Sequence, residues 1–285
     1  MSDVSKLAVI GAGTMGSGIA LVGASKDIKV SLIDVSEEQL SVAAAYHAKT
    51  MDRNVQKERM TRDEADAALG RITGLSNMAD ASDADWVVEA ATENADLKKK
   101  IFTQMHDVFG EDVVLATNTS SISITELAEA VPTAADRVIG MHFFNPVPIM
   151  KLVEVIKGRE TSERTTQRTI ELSEAMGKIP VPANDHAGFV SNRVLMPMIN
   201  EAFHAWADGV AEPENIDSIM TLGCAFPMGP LRLADHIGLD VCRDIMLVMH
   251  RGLGDDKYLP APKLVELVEQ GRLGNKTGHG VYDHG

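Results

Sequence analysis

Short apolar runs alternate with segments of helical spacing through the first two thirds of the chain. Residues 6–10, 29–33, 86–90, 113–117, 138–144, 151–156 and 179–182 are brief, rich in valine, isoleucine and leucine, and bounded by polar or turn-forming residues. Runs of that length and type predict strands, and those without alternation predict strands covered on both faces. Between them, residues 17–25, 37–59, a segment opened by Thr61-Arg62-Asp63-Glu64, residues 97–110 and residues 162–176 carry the composition and spacing of helices. Thr61 with Glu64 and Ser123 with Glu126 have the form of capping boxes, and Gly70, Gly110 and Gly177 stand where helices stop. Strand and helix in alternation predict a mostly parallel sheet in an α/β domain. Residues 37–70 depart from that plan as a helical hairpin inserted between strands. The runs at 138–144 and 151–156, separated by two prolines, predict strand, turn, strand.

After Asp185 the strand pattern stops. Residues 188–208 read as a long helix broken or bent at Pro197, and Pro213, Pro230 and Pro262 suit the first position of three more. The expected division is residues 1–185 as a sheet domain and 186–285 as a smaller all-helical one. The methionines of this last part, among them Met196, Met198, Met220, Met228, Met246 and Met249, read as core and interface packing.

Chemistry enters at the end of the first strand. It runs directly into Gly11-Ala12-Gly13-Thr14-Met15-Gly16, which opens a helix, and the second strand ends in Asp34. Gly-x-Gly-x-x-Gly between strand and helix, followed about 20 residues on by a carboxylate, is the dinucleotide-binding arrangement of a Rossmann-type sheet. The helix N-terminus offers free N–H groups to a pyrophosphate, and Asp34 suits the hydroxyls of an adenosine ribose. The alternative, a glycine-rich turn with a surface aspartate, leaves the order of elements to coincidence. Asn118-Thr119-Ser120-Ser121 arrives at the carboxyl edge of the sheet, where such folds bind ligands, the alternative for Ser120 being to cap a helix. With a turn centred near Pro148, His142 and Glu154 lie opposite each other across an antiparallel pair. That places a carboxylate where it can orient an imidazole for general acid/base work. The plainer possibility is a half-buried histidine beside a surface glutamate. Lys49, Arg53 and Lys57 recur at four-residue intervals on one helix face, either as a solvated face or as a grip on a phosphorylated substrate tail.

Composition narrows the partners. The chain has 285 residues, is 45% hydrophobic, and carries a formal net charge of -14 with a pI near 5.0. That balance opposes sequence-independent attraction to nucleic acid or anionic membrane. Cys224 and Cys242 are far apart and make no Cys-x-x-Cys, so neither a disulfide framework nor a thiolate metal site is expected. No run of about 18 apolar residues suggests a membrane span, no signal peptide is apparent, and the expected compartment is the cytoplasm.

The ordered set 9–16, 118–121, 142–146 and Gly188-Phe189-Val190-Ser191-Asn192-Arg193 resembles the L-3-hydroxyacyl-CoA dehydrogenases, and the likeness runs from Lys6 to Tyr282. The resemblance implies an NAD-dependent oxidoreductase that interconverts a (3S)-3-hydroxyacyl-CoA, of short chain such as 3-hydroxybutyryl-CoA, and a 3-oxoacyl-CoA. Matched position by position, the family's catalytic pair falls on His142 and Glu154, and its substrate-contacting hydroxyl and amide on Ser120 and Asn192. Cofactor contacts fall on Gly11, Gly13, Thr14, Met15 and Gly16, on Asp34, Glu93, Lys98, Asn118 and Asn145, and on Lys276. Coenzyme A contacts fall on or near Thr50 and Lys57. The helical second domain is implied to form a homodimer, and no metal is called for. This chain has Ala187-Gly188-Phe189 where the family commonly has Pro-Gly-Phe, and Gly274-Asn275-Lys276 where it commonly has Gly-Lys-Lys. A sugar-acid dehydrogenase sharing the glycine loop, and a noncatalytic NAD-binding protein, are the alternatives.

Overall fold

The computed structural model describes residues 2–284 and divides into two compact units, residues 1–185 and 186–285. The first unit is built on one eight-stranded sheet. Its elements run β1 (Lys6–Ile10), α1 (Thr14–Ala24), β2 (Lys29–Ile33), α2 (Glu37–Gln56), α3 (Arg62–Leu69), β3 (Ile72–Leu75), β4 (Trp86–Glu89), α4 (Ala95–Val108) and β5 (Val114–Thr117). Then come α5 (Ile124–Ala128), β6 (Val138–Phe143), β7 (Leu152–Lys157), α6 (Glu163–Ala175) and β8 (Ile179–Asn184). In space the strands lie β3-β2-β1-β4-β5-β6-β7-β8. All neighbours are parallel except β6 and β7, so β7 and β8 run against the rest. Strand order reverses between β1 and β4, and at such a reversal two loops diverge to opposite faces and leave a crevice.

Burial follows position in the sheet. Central β4, β5 and β6 are buried at every residue, which is why their sequences are apolar without alternation. Leu7, Val9, Val30, Trp86, Val88, Ile139 and Val155 form one continuous core under α1 and α6. The edges look different. β8 carries Pro180 and Pro182, which an edge tolerates because one side of its ladder needs no N–H. β3, at the opposite edge, is Ile-Thr-Gly-Leu with a polar middle, and it is the one strand for which the sequence pattern provides no expectation.

Caps fix several helix starts. Ser36 accepts from the Gln39 N–H, Asn94 from Leu97 and Ser162 from Thr165, while Thr61 and Glu64 form the reciprocal capping box. At Ser123 only half the expected box forms: its hydroxyl accepts from the Glu126 N–H, but the Glu126 carboxylate turns to Lys99 at 2.6 Å. Helix α2 ends at Gln56, earlier than its sequence suggests, because Lys57 caps it and Glu58 adopts a left-handed conformation.

Among the described residues the second unit is built from helices, short turns and two isolated β-bridges at residues 274–283: its helices are α7 (Ser191–Ala207), α8 (Pro213–Cys224), α9 (Pro230–Ile237), α10 (Leu239–Leu253) and α11 (Pro262–Glu269). Proline occupies the start of α8, α9 and α11, and α7 continues through Pro197. Its own core joins Met196, Phe203, Leu231, Met246, Met249 and Leu264, while Met198 packs against it. Asp217 and Asp235 are buried carboxylates satisfied by backbone N–H groups of α9 and of residues 281–282, which ties the C-terminal segment down.

Candidate active site

At the carboxyl end of β1, Gly11 has φ +100, and a side chain there would meet the Ala90 carbonyl at 2.7 Å. Gly16 is held closer still, since its Cβ would lie 1.8 Å from the Gly11 carbonyl oxygen. These contacts let α1 begin directly beside the strand. Beyond the loop lies a cleft of about 810 Å³ at the β1/β4 crevice, lined by Gly11, Gly13, Asp34 and Ala90 among others, with no lysine or arginine in its wall. Asp34 accepts the Ala12 N–H at 2.8 Å and the Ser36 N–H at 2.9 Å, one on each oxygen. Each oxygen keeps a second lone pair for a ribose hydroxyl. A cleft lined by the N-cap of a helix, Gly13, and by a carboxylate, Asp34, fits NAD. Thr14 and Met15 form the first turn of α1.

The strand pair β6/β7 brings the two candidate proton-transfer groups together. Its register sets His142 opposite Glu154, and His142 Nδ1 stands 2.7 Å from Glu154 Oε2. Both are buried, at 8% and 4% exposure. The Phe144 ring lies against the imidazole at 4.5 Å between centroids. The turn that joins the strands holds a cis Asn145–Pro146 bond and is clamped from two sides. Val147 packs where α1 has Gly18, whose Cβ would fall 2.7 Å from it. From below, the buried Lys178 ammonium donates to the carbonyls of Val147 at 2.5 Å and Met150 at 2.8 Å, and burial lowers its pKa.

A third piece comes from the end of β5. Asn118 Oδ1 accepts the Phe143 N–H at 2.9 Å, stitching the 118–121 loop to the strand beside His142. Ser120 does not cap α5, a role that Ser123 fills. Instead Glu93 Oε1 gathers the loop: it accepts from Thr119 Oγ1 at 2.7 Å, Ser120 N at 2.9 Å, Ser120 Oγ at 3.3 Å, Ser121 N at 3.1 Å and Ser121 Oγ at 2.9 Å. Partial burial opposes the charge on Glu93, but the Lys98 ammonium and these hydrogen bonds outweigh it and hold its carboxyl below the ordinary value.

The sequence reading missed what lies beneath this loop. Lys98 is 1% exposed, and its ammonium reaches Glu89 at 2.6 and 2.8 Å and Glu93 at 3.5 Å. The available signal was an acidic residue closing an otherwise apolar strand, Trp-Val-Val-Glu. Of the remaining candidates, Thr50 lies half-buried on α2 beside a groove that Asn54, Arg59 and Pro148 also line. Lys49, Arg53 and Lys57 are all exposed, the last as the C-cap. Asn192 and Lys276 belong to the second unit. Asn192 is buried in the first turn of α7, and Lys276 pairs with Asp240 at 2.6 Å. Among the described residues no cluster of histidine, cysteine and carboxylate side chains could hold a metal ion, and no helix is long and apolar enough to cross a membrane.

Comparison with known proteins converges on one family. Residues 6–186 match the profile of the 3-hydroxyacyl-CoA dehydrogenase NAD binding domain, and residues 188–284 that of the 3-hydroxyacyl-CoA dehydrogenase C-terminal domain. A Deinococcus radiodurans protein named a probable 3-hydroxybutyryl-CoA dehydrogenase is 49% identical over 279 residues, 98% of this chain and all of the relative. A 3-hydroxybutyryl-CoA dehydrogenase of Bradyrhizobium diazoefficiens is 45% identical over 281 residues, covering 99% of this chain and 96% of the relative. The crystal structure of (S)-3-hydroxybutyryl-CoA dehydrogenase from Ralstonia eutropha superposes with a TM-score of 0.96 at 47% identity, over 99% of this chain and all of that one. Two adjoining profiles that take in almost every residue, on a fold whose crevice fits NAD, show that the chain belongs to the NAD-dependent 3-hydroxyacyl-CoA dehydrogenase family.

Proposed function

We propose that this dehydrogenase acts on short-chain (3S)-3-hydroxyacyl-CoA, 3-hydroxybutyryl-CoA foremost, with His142 and Glu154 as its proton-transfer pair. The observation that carries the proposal is the 2.7 Å contact between His142 Nδ1 and Glu154 Oε2 across paired strands. With Nδ1–H donated to the carboxylate, the ring exchanges protons with substrate through Nε2. In oxidation His142 removes the proton of the 3-hydroxyl, and Glu154 stabilises the imidazolium that results. In reduction the same nitrogen returns the proton to the developing alkoxide. NAD supplies the hydride acceptor in one direction and, reduced, the donor in the other. Ser120 and Asn192 hold the reacting oxygen and the groups beside it, and Asn118 keeps the Ser120 loop in line with the His142 strand. Asp34 takes the adenosine ribose. The exposed bases at Lys49, Arg53 and Lys57, with Thr50 on the same helix, take the phosphates of coenzyme A, which supports a CoA thioester over a free sugar acid. We place the enzyme in the cytoplasm as a homodimer formed through its helical unit, where Ile219 and Leu222 of α8 are exposed.

His142→Gln tests the proton-transfer role. Turnover should fall by about 100-fold to 10,000-fold, the usual share of general acid–base catalysis, while the Kd for NAD changes little. A near-normal rate across pH in this variant would remove His142 from the mechanism.

A further inference from the structure

We propose that Glu89 is a positioning residue for substrate: through Lys98 it sets the place of Glu93, and Glu93 in turn sets the place of the Ser120 hydroxyl. The inference rests on Ser120 meeting the substrate, as proposed above. Glu89 itself is fully buried at the carboxyl end of β4, so it touches no ligand directly. Its two oxygens are saturated by the chain around it. Oε1 accepts the Ala91 N–H at 2.6 Å and one Lys98 contact at 2.6 Å. Oε2 accepts the Thr117 hydroxyl at 2.6 Å and a second Lys98 contact at 2.8 Å.

A buried carboxylate and ammonium cost free energy to desolvate and are weak grounds for stability by themselves. Their geometry has a different consequence here. Four hydrogen bonds from three groups, the Ala91 N–H, the Thr117 hydroxyl and the Lys98 ammonium, anchor Glu89 to the ends of β4 and β5 and to α4, and Glu89 holds the Lys98 ammonium in place beside Glu93. Lys98 stands 3.5 Å from Glu93 Oε2, on the side away from the loop, while Oε1 gathers the loop's hydroxyls and N–H groups. Lys98 is thus close enough to keep Glu93 ionised, and too firmly held by Glu89 to pull it off the loop. The charged partner of Glu93 among the described ion pairs is Lys98 of α4, which Glu89 of β4 also holds, and residues 119–121 offer it hydroxyls and N–H groups. Thr117 closes the circuit, since its hydroxyl donates to Glu89 while accepting the Thr119 N–H at 3.2 Å.

Reduction of acetoacetyl-CoA provides the assay, because the reaction consumes a proton in that direction and low pH does not starve it. Glu89→Gln leaves Lys98 without its partner charge. The ammonium then closes on Glu93, and kcat/KM for acetoacetyl-CoA should fall on the order of 10-fold to 100-fold, the scale of a small misplacement in an active site. The charge-balanced variant Glu89→Gln/Lys98→Met distinguishes positioning from packing. It removes both buried charges and should return thermal stability toward the parent, yet Glu93 loses the cation that opposes its burial. The acid limb of kcat/KM should therefore move to higher pH. Recovery of parental activity and of the parental pH profile in the double variant would overturn the proposal and leave the pair a packing feature. If the double variant does not fold, Thr117→Val, which keeps both charges, decides the matter: a fall in kcat/KM is expected, and a parental value overturns the proposal. Ser120→Ala is measured alongside. A parental rate in Ser120→Ala would refute the assignment of Ser120 itself, whereas a loss there with a parental Glu89→Gln would refute only the role of Glu89.

Discussion

The function proposed for His142 depends on its neighbour. A histidine on a buried strand is ordinarily a packing residue with one satisfied nitrogen, and nothing in its own identity says otherwise. In the proposed mechanism the carboxylate of Glu154, at 2.7 Å, orients the ring for proton transfer. This pairing was legible in the sequence, because residues 142 and 154 are symmetric about the proline turn and an antiparallel register follows from that symmetry. Glu154→Gln should slow turnover by less than His142→Gln, since it keeps a hydrogen-bond partner and removes only the charge. Asp34 is a second residue whose proposed role rests on its placement. Its carboxylate repels a 2′-phosphate, the next side chain is an exposed valine, and no base lines the cleft to compensate. Initial rates at equal concentrations should favour NAD over NADP, and faster turnover with NADP would show that basic groups elsewhere dominate. Glu89 and Lys98 were not legible in these roles. A residue-by-residue reading expects charges at the surface, and only the folded chain shows two of them buried against each other.

At the scale of elements, helix α2 and the β6/β7 turn present opposite cases. Helix α2 reads easily: two glutamates in its first turn, a serine cap, and bases returning every four residues. Its end does not, because Glu58 performs with a left-handed backbone what a glycine usually signals. Lys57 therefore sits just past the last turn, as the C-cap that follows the stripe begun by Lys49 and Arg53. Lys57→Glu should raise the KM for acyl-CoA and barely alter NAD affinity. An exposed phosphate contact is screened over about 10 Å at 0.1 M salt, so the penalty should shrink as ionic strength rises. Equal acetoacetyl-CoA affinity in variant and parent at low salt would make the stripe a solvated face only. In the β6/β7 turn the two prolines were legible, but not the Lys178 ammonium that gathers its carbonyls from 28 and 31 residues away. Strand β3 was lost for a different reason. A four-residue edge strand with threonine and glycine at its centre has neither alternation nor a continuous apolar run, and pairing with β2 alone specifies it.

The whole molecule carries a net charge of -14, yet its proposed substrate is a polyanion, so recognition must come from a local basic face and not from the overall field. The change of pattern after Asp185 was plain in the sequence because strands cease there, and the structure divides at the same place. Self-association is less visible, since exposed apolar residues on one helix are ordinary singly and informative only as a patch. Leu222, 87% exposed on α8, is the side chain to change. Sedimentation of the parent should give twice the 30.7 kDa chain mass, and Leu222→Glu should move the mass toward one chain; a monomeric parent would refute the assembly. The central claim, a dehydrogenase for short-chain 3-hydroxyacyl-CoA, is tested most directly by following NADH formation from a set of (3S)-3-hydroxyacyl-CoA esters of increasing chain length, with free 3-hydroxybutyrate alongside. The account predicts the highest kcat/KM for 3-hydroxybutyryl-CoA, a decline with longer chains, and little turnover of the free acid. Equal turnover of free acid and CoA ester, or a maximum at long chains, would contradict it.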